Sequence, residues 1–440
     1  MATRSKSTRA PRGARPAPAA RKRTSTITRE IVSSDSDQAH RWTVMVFMSA
    51  QNVPGEAVPL IGEARADIAE MKAVISSARV NILYQLHGEG VHERCHVGKG
   101  NVRPVPEDER DNTSGQAVVS FIRWALIEAR HEPTDYTLLV LWGHAYRFGF
   151  SPEVTRNGID AMDFEELSQV LRSAQELFRA QYGGDSNPKL NVVGFDACDL
   201  ATVEMAIQLH EYADYLVASQ VGVPLPGWPY KRILERLATP EGRLMGPSEF
   251  GSYVVRRYCE SYKAPRSGAD GTAQERAVSL TLLDLKQAPQ LFELTEVLAR
   301  ELALAVDEDD EELSRALDLF VRSQTIAGKP FVDVADLCLN LYRYCDSDDL
   351  RNAAERLGNF LISASPVVEG KSAEGIGRPF IVEHGRNALP TARLHGVSLY
   401  APHVALDTHD PAIASHWYEK FVFARQTLWN DLVRALAQPA

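Results

Sequence analysis

One cysteine and one histidine of this sequence each follow a short run of residues with strand character. Residues 191–195 combine β-branched and aromatic side chains, Cys198 follows them, and apolar residues then recur at helical spacing from Leu200. A second run, 136–142, leads into His144. If these two strands are sheet neighbours, the imidazole can reach the thiol, and such a pairing activates a cysteine nucleophile.

The position of Cys198 at the end of a strand favours a chemical role. In an open α/β sheet, ligands bind at the carboxyl ends of the strands, and the amino end of the following helix can stabilise a thiolate. Two plainer interpretations stay open. A cysteine is more often a buried structural residue, and a lone histidine after a strand is more often a cap or a surface residue.

The order of these segments resembles the clostripain family of cysteine peptidases, which belongs to the caspase-like clan with caspases, legumains and gingipains. The resemblance rests first on the strand that leads through Gly143 to His144 and on the Phe-Asp-Ala-Cys sequence at 195–198. It covers most of the chain from about residue 41. Further matching segments follow in the expected order at 42–48, 217–219, 226–230 and 395–400.

The resemblance implies hydrolysis of peptide bonds, with Cys198 as the nucleophile and His144 as the proton donor. It also implies that the backbone N–H groups of Cys198 and Ala145 hold the oxyanion. Relatives usually have glycine where Ala145 stands and an apolar residue where Asp199 stands. Alanine narrows the available backbone conformations, and an acidic neighbour that faced the site would raise the pKa of the thiol.

Asp196 is the candidate for substrate specificity, because strand alternation can direct it to the same side as Cys198. In the clostripain family the matching aspartate is associated with preference for arginine or lysine before the cleaved bond, and the resemblance implies the same preference here. Ser219 and Gln220 are further candidates for substrate binding, although many relatives have an acidic residue where Gln220 stands. The alternative is that Asp196 only caps the following helix.

The segment 145–161 has no strong periodicity, which predicts an exposed loop between the two candidate catalytic residues. Exposed loops are preferred sites of proteolytic cleavage. The enzymes that this chain resembles are made as zymogens and are cut in this part of the chain after a basic residue. We therefore expect autocleavage after Arg156, with Arg147 as the next candidate and Arg179 and Lys189 behind them. A connecting loop that is never cut is the alternative.

Strands and helices alternate from Trp42 onward, and this alternation predicts a parallel sheet covered by helices. With the resemblance, the predicted fold is an α/β, caspase-like three-layer sandwich with a mainly parallel central sheet and helices on both faces. The predicted strands are 42–48, 80–86, 136–142, 190–195 and 214–219, and the predicted helices are 57–76, 115–129, 163–180 and 200–212.

The sequence divides into three predicted parts. Residues 1–40 are rich in Arg, Ser, Pro and Ala and predict a disordered basic tail. A solvated tail is preferred there over a tether to an acidic surface or a transit peptide. Residues 41–262 form the predicted catalytic core. Residues 263–440 are expected to form a mostly helical subdomain that packs on the core, with two short strands that join the main sheet or a smaller one.

Composition narrows the function classes. The 440 residues are 44% hydrophobic and 24% charged with a formal net charge of −10, which is typical of a soluble globular protein and gives no support to nucleic-acid binding. No run approaches the roughly 18 apolar residues of a membrane span. Five scattered cysteines favour reduced thiols. We expect a cytoplasmic protein whose partners are protein or peptide substrates and an upstream activating protease or signalling protein.

Two clusters could suggest metal binding, and neither has a convincing pattern. His87, His92, Cys95 and His96 lie near a predicted hairpin, but their spacing matches no trusted zinc motif, so ordinary surface histidines are preferred. The acidic run 307–312 lacks the ligand spacing of an EF-hand. We expect no metal site and no required cofactor. The resemblance allows calcium dependence without assigning a site to it.

Two other function classes are weighed against a peptidase. A phosphatase or nucleotide-binding protein is disfavoured, because no glycine-rich phosphate loop follows the first predicted strand. A catalytically weak or silent caspase-like protein that acts as a regulatory binding module is the main alternative. Loss of Cys198 or His144 would have favoured that alternative, and both residues are present.

Overall fold

The first strand of the core shows why its sheet is buried on both faces. Trp42–Ser49 is buried along its whole length. Met45 and Phe47 pack into one hydrophobic cluster, whereas Val44 and Val46 pack into another on the opposite face. Strands that are apolar at every position are typical of parallel sheets with helices on both sides.

A computed structural model describes most of the chain from residue 40. The described residues are 40–51, 60–74, 79–129, 134–146, 149–156, 158–182, 189–263, 266–267, 273–274, 277–308, 318–320, 322–324, 330–362, 379–386, 393–401 and 418–436. All of the predicted tail except His40 lies outside the described residues, as do Arg147 and most of the acidic run 307–312.

Sixteen strands are defined within this part of the chain. They are β1 (Trp42–Ser49), β2 (Val80–Gly88), β3 (Val91–His96), β4 (Asn101–Pro104), β5 (Tyr136–Gly143), β6 (Ala145–Tyr146), β7 (Gly149–Thr155), β8 (Gly158–Asp163), β9 (Leu190–Asp196), β10 (Ala213–Ala218), β11 (Arg266–Ser267), β12 (Ala273–Gln274), β13 (Ser279–Asp284), β14 (Phe331–Asp333), β15 (Ile381–Arg386) and β16 (Ser398–Tyr400).

The central sheet has the strand order β15-β13-β10-β9-β5-β1-β2-β3-β4 among the described residues. Its five inner strands, β10, β9, β5, β1 and β2, run parallel. Antiparallel strands extend the sheet at both ends, with β3 and β4 on one side and β13 and β15 on the other. Two of these outer strands come from residues beyond 262, and contacts group residues 39–440 into one compact unit.

Helices cover both faces of this sheet. They are α1 (Leu60–Lys72), α2 (Gly115–Ala129), α3 (Phe164–Tyr182), α4 (Val203–Leu209), α5 (Tyr230–Ala238), α6 (Pro247–Ser261), α7 (Ala288–Glu308), α8 (Val334–Tyr344), α9 (Asp348–Ile362), α10 (Val422–Gln426) and α11 (Trp429–Leu436). Buried residues of α1, α5 and α6 pack on one face, and those of α2, α3, α4 and α7 pack on the other. The predicted caspase-like α/β fold is therefore confirmed. No helix of the described residues is long and apolar enough to cross a membrane.

The segment 145–161 differs from the predicted loop. It forms β6, β7 and β8 of a three-stranded antiparallel sheet, in which Phe150 and Met162 are paired and buried. The register of β7 shifts between Phe150 and Glu153, and Ser151 has a left-handed φ of 61°. This irregularity interrupts the two-residue alternation that would identify a strand in the sequence.

The histidine cluster also differs from the prediction of ordinary surface residues. His87 on β2 and His96 on β3 are buried, and Cys95 is fully buried. His87 Nδ1 lies 3.1 Å from His92 Nδ1, and burial lowers the pKa of His87 to about 3. His87 is therefore a neutral, buried group whose ring packs 5.4 Å from that of Phe47, whereas Cys95 packs into the hydrophobic cluster on the opposite face of the sheet. Among the described residues, no group of three or more acidic, cysteine or histidine side chains could hold a metal ion.

Candidate active site

The register of the central sheet brings the two candidate catalytic residues to neighbouring positions. β5 and β9 are parallel neighbours, and Trp142 is paired with Asp196. His144 and Cys198 each lie two residues beyond this pair, at the carboxyl edge of the sheet. Both residues are half-buried. Adjacent strands are about 4.8 Å apart, so side chains at equivalent positions beyond their ends are within reach of each other.

A buried polar network holds the backbone that carries His144. Gly143 has a φ of +146°, and a Cβ at this position would lie 2.5 Å from the carbonyl oxygen of Ser49. His144 O accepts a hydrogen bond from Ser151 N at 3.1 Å. Ser49 Oγ accepts hydrogen bonds from Ser151 Oγ at 2.7 Å and from Asn112 Nδ2 at 3.1 Å. Sequence analysis misses Asn112 and Ser151, because no local pattern indicates that distant segments meet behind His144.

The turn at Cys198 is held against the segment that follows β10. Ala201 N donates a hydrogen bond to Ser219 O at 2.9 Å. Val223 N donates to Cys198 Sγ at 3.2 Å. A hydrogen bond to the charged form of a group favours that form, so this N–H favours the thiolate. The segment after β10 therefore both positions the sulfur and contributes to its electrostatics.

The helix after Cys198 is shorter than predicted. The predicted helix 200–212 is observed as α4, which begins at Val203 with Thr202 as its N-cap. Thr202 Oγ accepts the N-cap hydrogen bond from Met205 N at 3.1 Å. Because the helix begins five residues beyond Cys198, its amino end is not adjacent to the sulfur in the sequence.

Asp196 is a buried acid directly below the candidate catalytic edge. Its Oδ2 accepts hydrogen bonds from Trp228 N and from Tyr230 OH, both at 3.0 Å. Gly227 makes this approach possible, because it has a φ of +58° and a Cβ there would lie 2.7 Å from Oδ2. The other carboxyl oxygen, Oδ1, is buried and accepts no hydrogen bond from the described residues. Burial raises the pKa of Asp196 to about 7, against the opposing effect of its two donors.

The structure separates the surroundings of Ser219 and Gln220. Ser219 Oγ donates to Val221 O at 2.8 Å and accepts from Val221 N at 3.1 Å. Ser219 therefore shapes the turn after β10, which lies against Cys198. Gln220 is buried. The described hydrogen bonds of its side chain go to the C-terminal part of the chain instead of to the predicted pocket: Asp333 Oδ2 and Ser398 Oγ at 3.0 Å, and Gly396 N at 2.7 Å.

The remaining predicted site residues lie at the edges of the site. Ala145 begins β6 and is paired with Phe150. Asp199 has a left-handed φ of 59° and lines a small, partly open pocket beside α4. Arg156 is exposed at the turn between β7 and β8. Arg147 lies outside the described residues.

Comparison with known proteins identifies a family for most of this chain. A family model described as the clostripain family matches residues 46–366. Among curated protein sequences, no relative matches.

Solved structures with a similar fold cover most of this chain. An inactive zymogen C11 protease from Parabacteroides distasonis has a TM-score of 0.57 and 15% identity, and the match covers 88% of this chain and 98% of that one. A secreted C11 cysteine protease from Bacteroides thetaiotaomicron, in complex with an irreversible peptide inhibitor, has a TM-score of 0.51 and 16% identity, with coverage of 87% and 99%. A further structure of a secreted C11 cysteine protease from that organism has a TM-score of 0.55 and 13% identity, with coverage of 88% and 99%.

Proposed function

The chain belongs to the clostripain family of cysteine peptidases, and on that premise we propose that it is an endopeptidase that cleaves proteins after arginine or lysine. In this proposal Cys198 is the nucleophile and His144 is the proton donor. The observation that carries the proposal is the pairing of Trp142 with Asp196, from which the cysteine and the histidine each follow after two residues. The same pairing puts a buried acid next to them.

The proposed reaction has two stages. The Cys198 thiolate attacks the carbonyl carbon of the scissile bond, and His144 protonates the amine as the C–N bond breaks. Water then attacks the thioester, which releases the carboxylate product and returns the thiol. The backbone N–H groups of Cys198 and Ala145 are the proposed oxyanion donors. No step requires a cofactor. Any dependence on calcium would act on the stability or the activation of the enzyme and not on these chemical steps.

The electrostatics of Asp196 support a basic side chain before the cleaved bond. A buried carboxyl is stable when it is paired with a cation or is protonated. Asp196 has no ion pair with a lysine or arginine of the described residues, and its Oδ1 accepts no hydrogen bond there. A substrate cation would supply the missing partner, and the turn at Ser219 would form a wall of the same pocket.

Cleavage at Arg156 is the proposed activating step. Arg156 is exposed at a hairpin turn and is itself a basic residue of the type that the pocket is proposed to bind. We propose that the enzyme is made as a zymogen and cuts itself there, with Arg147 as the second candidate. A cytoplasmic location and an upstream protease or signalling partner belong to the same proposal, and cell fractionation tests the location.

Two variants test the proposed chemistry. Cys198→Ala is expected to abolish hydrolysis of arginine peptides and self-cleavage, because only the thiolate forms the acyl-enzyme. His144→Ala is expected to fold and to lose at least about 100-fold in turnover, since general acid–base catalysis contributes about 100-fold to 10,000-fold. Near-normal turnover by Cys198→Ala would refute the mechanism. Normal turnover by His144→Ala would make another residue the proton donor. A correctly folded chain that hydrolyses no peptide even after cleavage at Arg156 would favour a regulatory binding module.

A further inference from the structure

A second buried carboxyl lies on the helix that packs against Asp196. Asp67 is on α1 and is 4% exposed. Trp142 Nε1 donates a hydrogen bond to Asp67 Oδ2 at 2.8 Å, and Trp142 is paired with Asp196 in the central sheet. Side chains at paired positions of neighbouring strands point to the same face. The indole therefore connects Asp67 to the position occupied by Asp196.

Tyr230 connects the same two acids from a different element. It is the first residue of α5, and its hydroxyl donates to Asp196 Oδ2. The charges of Asp196 and Asp67 both raise the pKa of Tyr230. The charge of Asp196 also raises the pKa of Asp67, although burial is the larger cause. The two carboxyls therefore share one buried environment.

No cation of the described residues compensates these acids. Neither Asp67 nor Asp196 forms an ion pair with a described lysine or arginine, and the hydrogen bonds described for them come from an indole, a phenol and a backbone N–H. Two buried acids without a cation repel each other when both are ionised. Ionisation of both acids therefore lowers the free energy of unfolding, and a cation from a bound substrate would relieve the repulsion.

We propose that Asp67 is a second specificity carboxyl of the substrate pocket and that, with Asp196, it selects arginine over lysine before the cleaved bond. This inference rests on the proposed function, and it adds a residue that the sequence pattern around Cys198 does not contain. The planar guanidinium of arginine presents five N–H donors and can bridge two carboxyls at once. The ammonium of lysine is a compact point charge with three donors and satisfies one carboxyl better than two.

Cation binding to this pair should release a proton. Burial raises the pKa of both acids, so the empty pocket holds a proton near neutral pH. A bound guanidinium favours the ionised form of both. The other titratable groups that face the pair are Glu63 and Glu70 on α1, Tyr230 on α5 and Tyr258 on α6. The two glutamates add negative charge and reinforce the retention of the proton.

The test compares two fluorogenic peptides that differ only in arginine or lysine before the scissile bond. The full chain is assayed as wild type, as Asp67→Asn and as Lys72→Gln, a control that changes one exposed charge in the last turn of the same helix. The wild type should favour arginine by at least about tenfold, and Asp67→Asn should lower kcat/KM for the arginine peptide about 100-fold and the lysine peptide at most about tenfold. Lys72→Gln should keep both values within about twofold.

A second measurement keeps the test independent of how well Asp67→Asn folds. Calorimetric titration of Cys198→Ala with the arginine peptide, in buffers of different ionisation enthalpy at pH 8, should show release of about half a proton or more. At that pH Asp196, with a pKa of about 7, has mostly lost its proton, so the release reports on Asp67.

The outcomes separate this inference from the proposed function. An Asp67→Asn enzyme that keeps the wild-type ratio of arginine to lysine activity, or binding at pH 8 without proton release, overturns the role of Asp67 alone. A wild type that prefers leucine or aspartate before the cleaved bond overturns both. The expected loss of the ratio, together with proton release, establishes Asp67 as a specificity residue.

Discussion

Two buried carboxyls flank the turn at Cys198, and their bonding is almost the same. Asp196 precedes the turn and Glu204 follows it on α4. In each, one oxygen accepts a backbone N–H and a tyrosine hydroxyl: Trp228 N and Tyr230 for Asp196, and Tyr400 N and Tyr418 for Glu204. Burial raises the pKa of each acid to about 7. The other oxygen of Asp196 accepts no hydrogen bond from the described residues, whereas at Glu204 the Thr202 side chain and the backbone N–H of Glu204 also oppose the rise in pKa.

The two acids differ in what surrounds them. Asp196 shares its environment with Asp67 on a neighbouring helix. Asp199 lines a pocket together with Glu204 but is only half-buried, so among the described residues no second fully buried acid accompanies Glu204. The rings of Tyr400 and Tyr418 contact each other at a tilt, with centroids 4.4 Å apart. Both tyrosines come from the C-terminal residues, so Glu204 ties that part of the chain to the helix after the nucleophile. Burial is common to both acids, so the second buried acid is what distinguishes Asp196, the proposed substrate-binding residue, from Glu204, which links two parts of the fold.

Matched amide substitutions give the sharpest contrast between the two acids. Asp196→Asn should lower kcat/KM for an arginine peptide by about 1,000-fold, because loss of one partner of a buried charge pair costs several kcal/mol. Glu204→Gln should leave the ratio of arginine to leucine activity unchanged. The rate at which iodoacetamide alkylates Cys198 serves as a control for folding. Equal effects of the two variants on that ratio would remove the distinction.

The pH dependence of stability should be the property that the two acids share. The folded-state pKa of each, about 7, lies above its usual value of about 4. Between pH 4 and 7 the folded state therefore holds protons that the unfolded state has lost, so the free energy of unfolding falls as pH rises through this window. Each acid contributes roughly 4 kcal/mol to that fall.

Denaturant unfolding of the wild type, Asp196→Asn and Glu204→Gln across this pH range measures the contribution. Each amide variant should gain stability relative to the wild type as pH rises from 4 to 8. A difference between variant and wild type that is independent of pH would mean that the carboxyl is ionised in the folded protein throughout the range.

Removal of the tyrosine hydroxyls is a smaller and more local change. Tyr418→Phe should cost about 1.5 kcal/mol of stability, because Glu204 loses a donor, and should leave catalysis unchanged. Tyr230→Phe should cost a similar amount and also lower kcat/KM for arginine peptides about tenfold, since the hydroxyl orients the Asp196 carboxyl. Unfolding curves and steady-state kinetics check both effects. A catalytic effect of Tyr418→Phe as large as that of Tyr230→Phe would contradict the comparison.

The region behind His144 contains a polar network without either acid, and it should show the smallest effect. Asn112→Ala removes a hydrogen bond to Ser49 Oγ. We expect kcat to fall about fivefold with little change in KM or in the arginine-to-lysine ratio, because the change displaces the proton donor and not the pocket. A change in KM alone would instead assign Asn112 to substrate binding.

The sequence predicts the parts of this fold that depend on local pattern. The inner strands and α2 appear close to their predicted bounds, because apolar runs and helical spacing are properties of short segments. The hairpin of β7 and β8 is missed because a register shift after Phe150 disrupts its alternation. The burial of His87 and His96 is missed because it depends on the layer that covers β2 and β3.

The residues of the candidate site also separate into those recognisable from local sequence pattern and those placed only by tertiary packing. Cys198, His144 and Asp196 stand out because strand ends are visible in the sequence. Asp67 lies on a helix about 130 residues before Cys198, and only the tertiary packing of α1 against the Asp196 face of the sheet relates them. Gln220 is the opposite case, because the sequence assigns it to the site and the structure does not. Its position next to Ser219 predicts a pocket residue, whereas its amide is engaged with the C-terminal segment.

The most direct test of the central claim is a labelling experiment on the full chain. Peptidyl acyloxymethyl ketones that end in arginine, leucine or aspartate are compared by their rates of covalent labelling, and mass spectrometry identifies the modified residue. The account predicts that the arginine compound labels Cys198 at least about 100-fold faster than the other two. Faster labelling by the leucine or aspartate compound, or modification of Cys95, Cys259, Cys338 or Cys345 in place of Cys198, would contradict it.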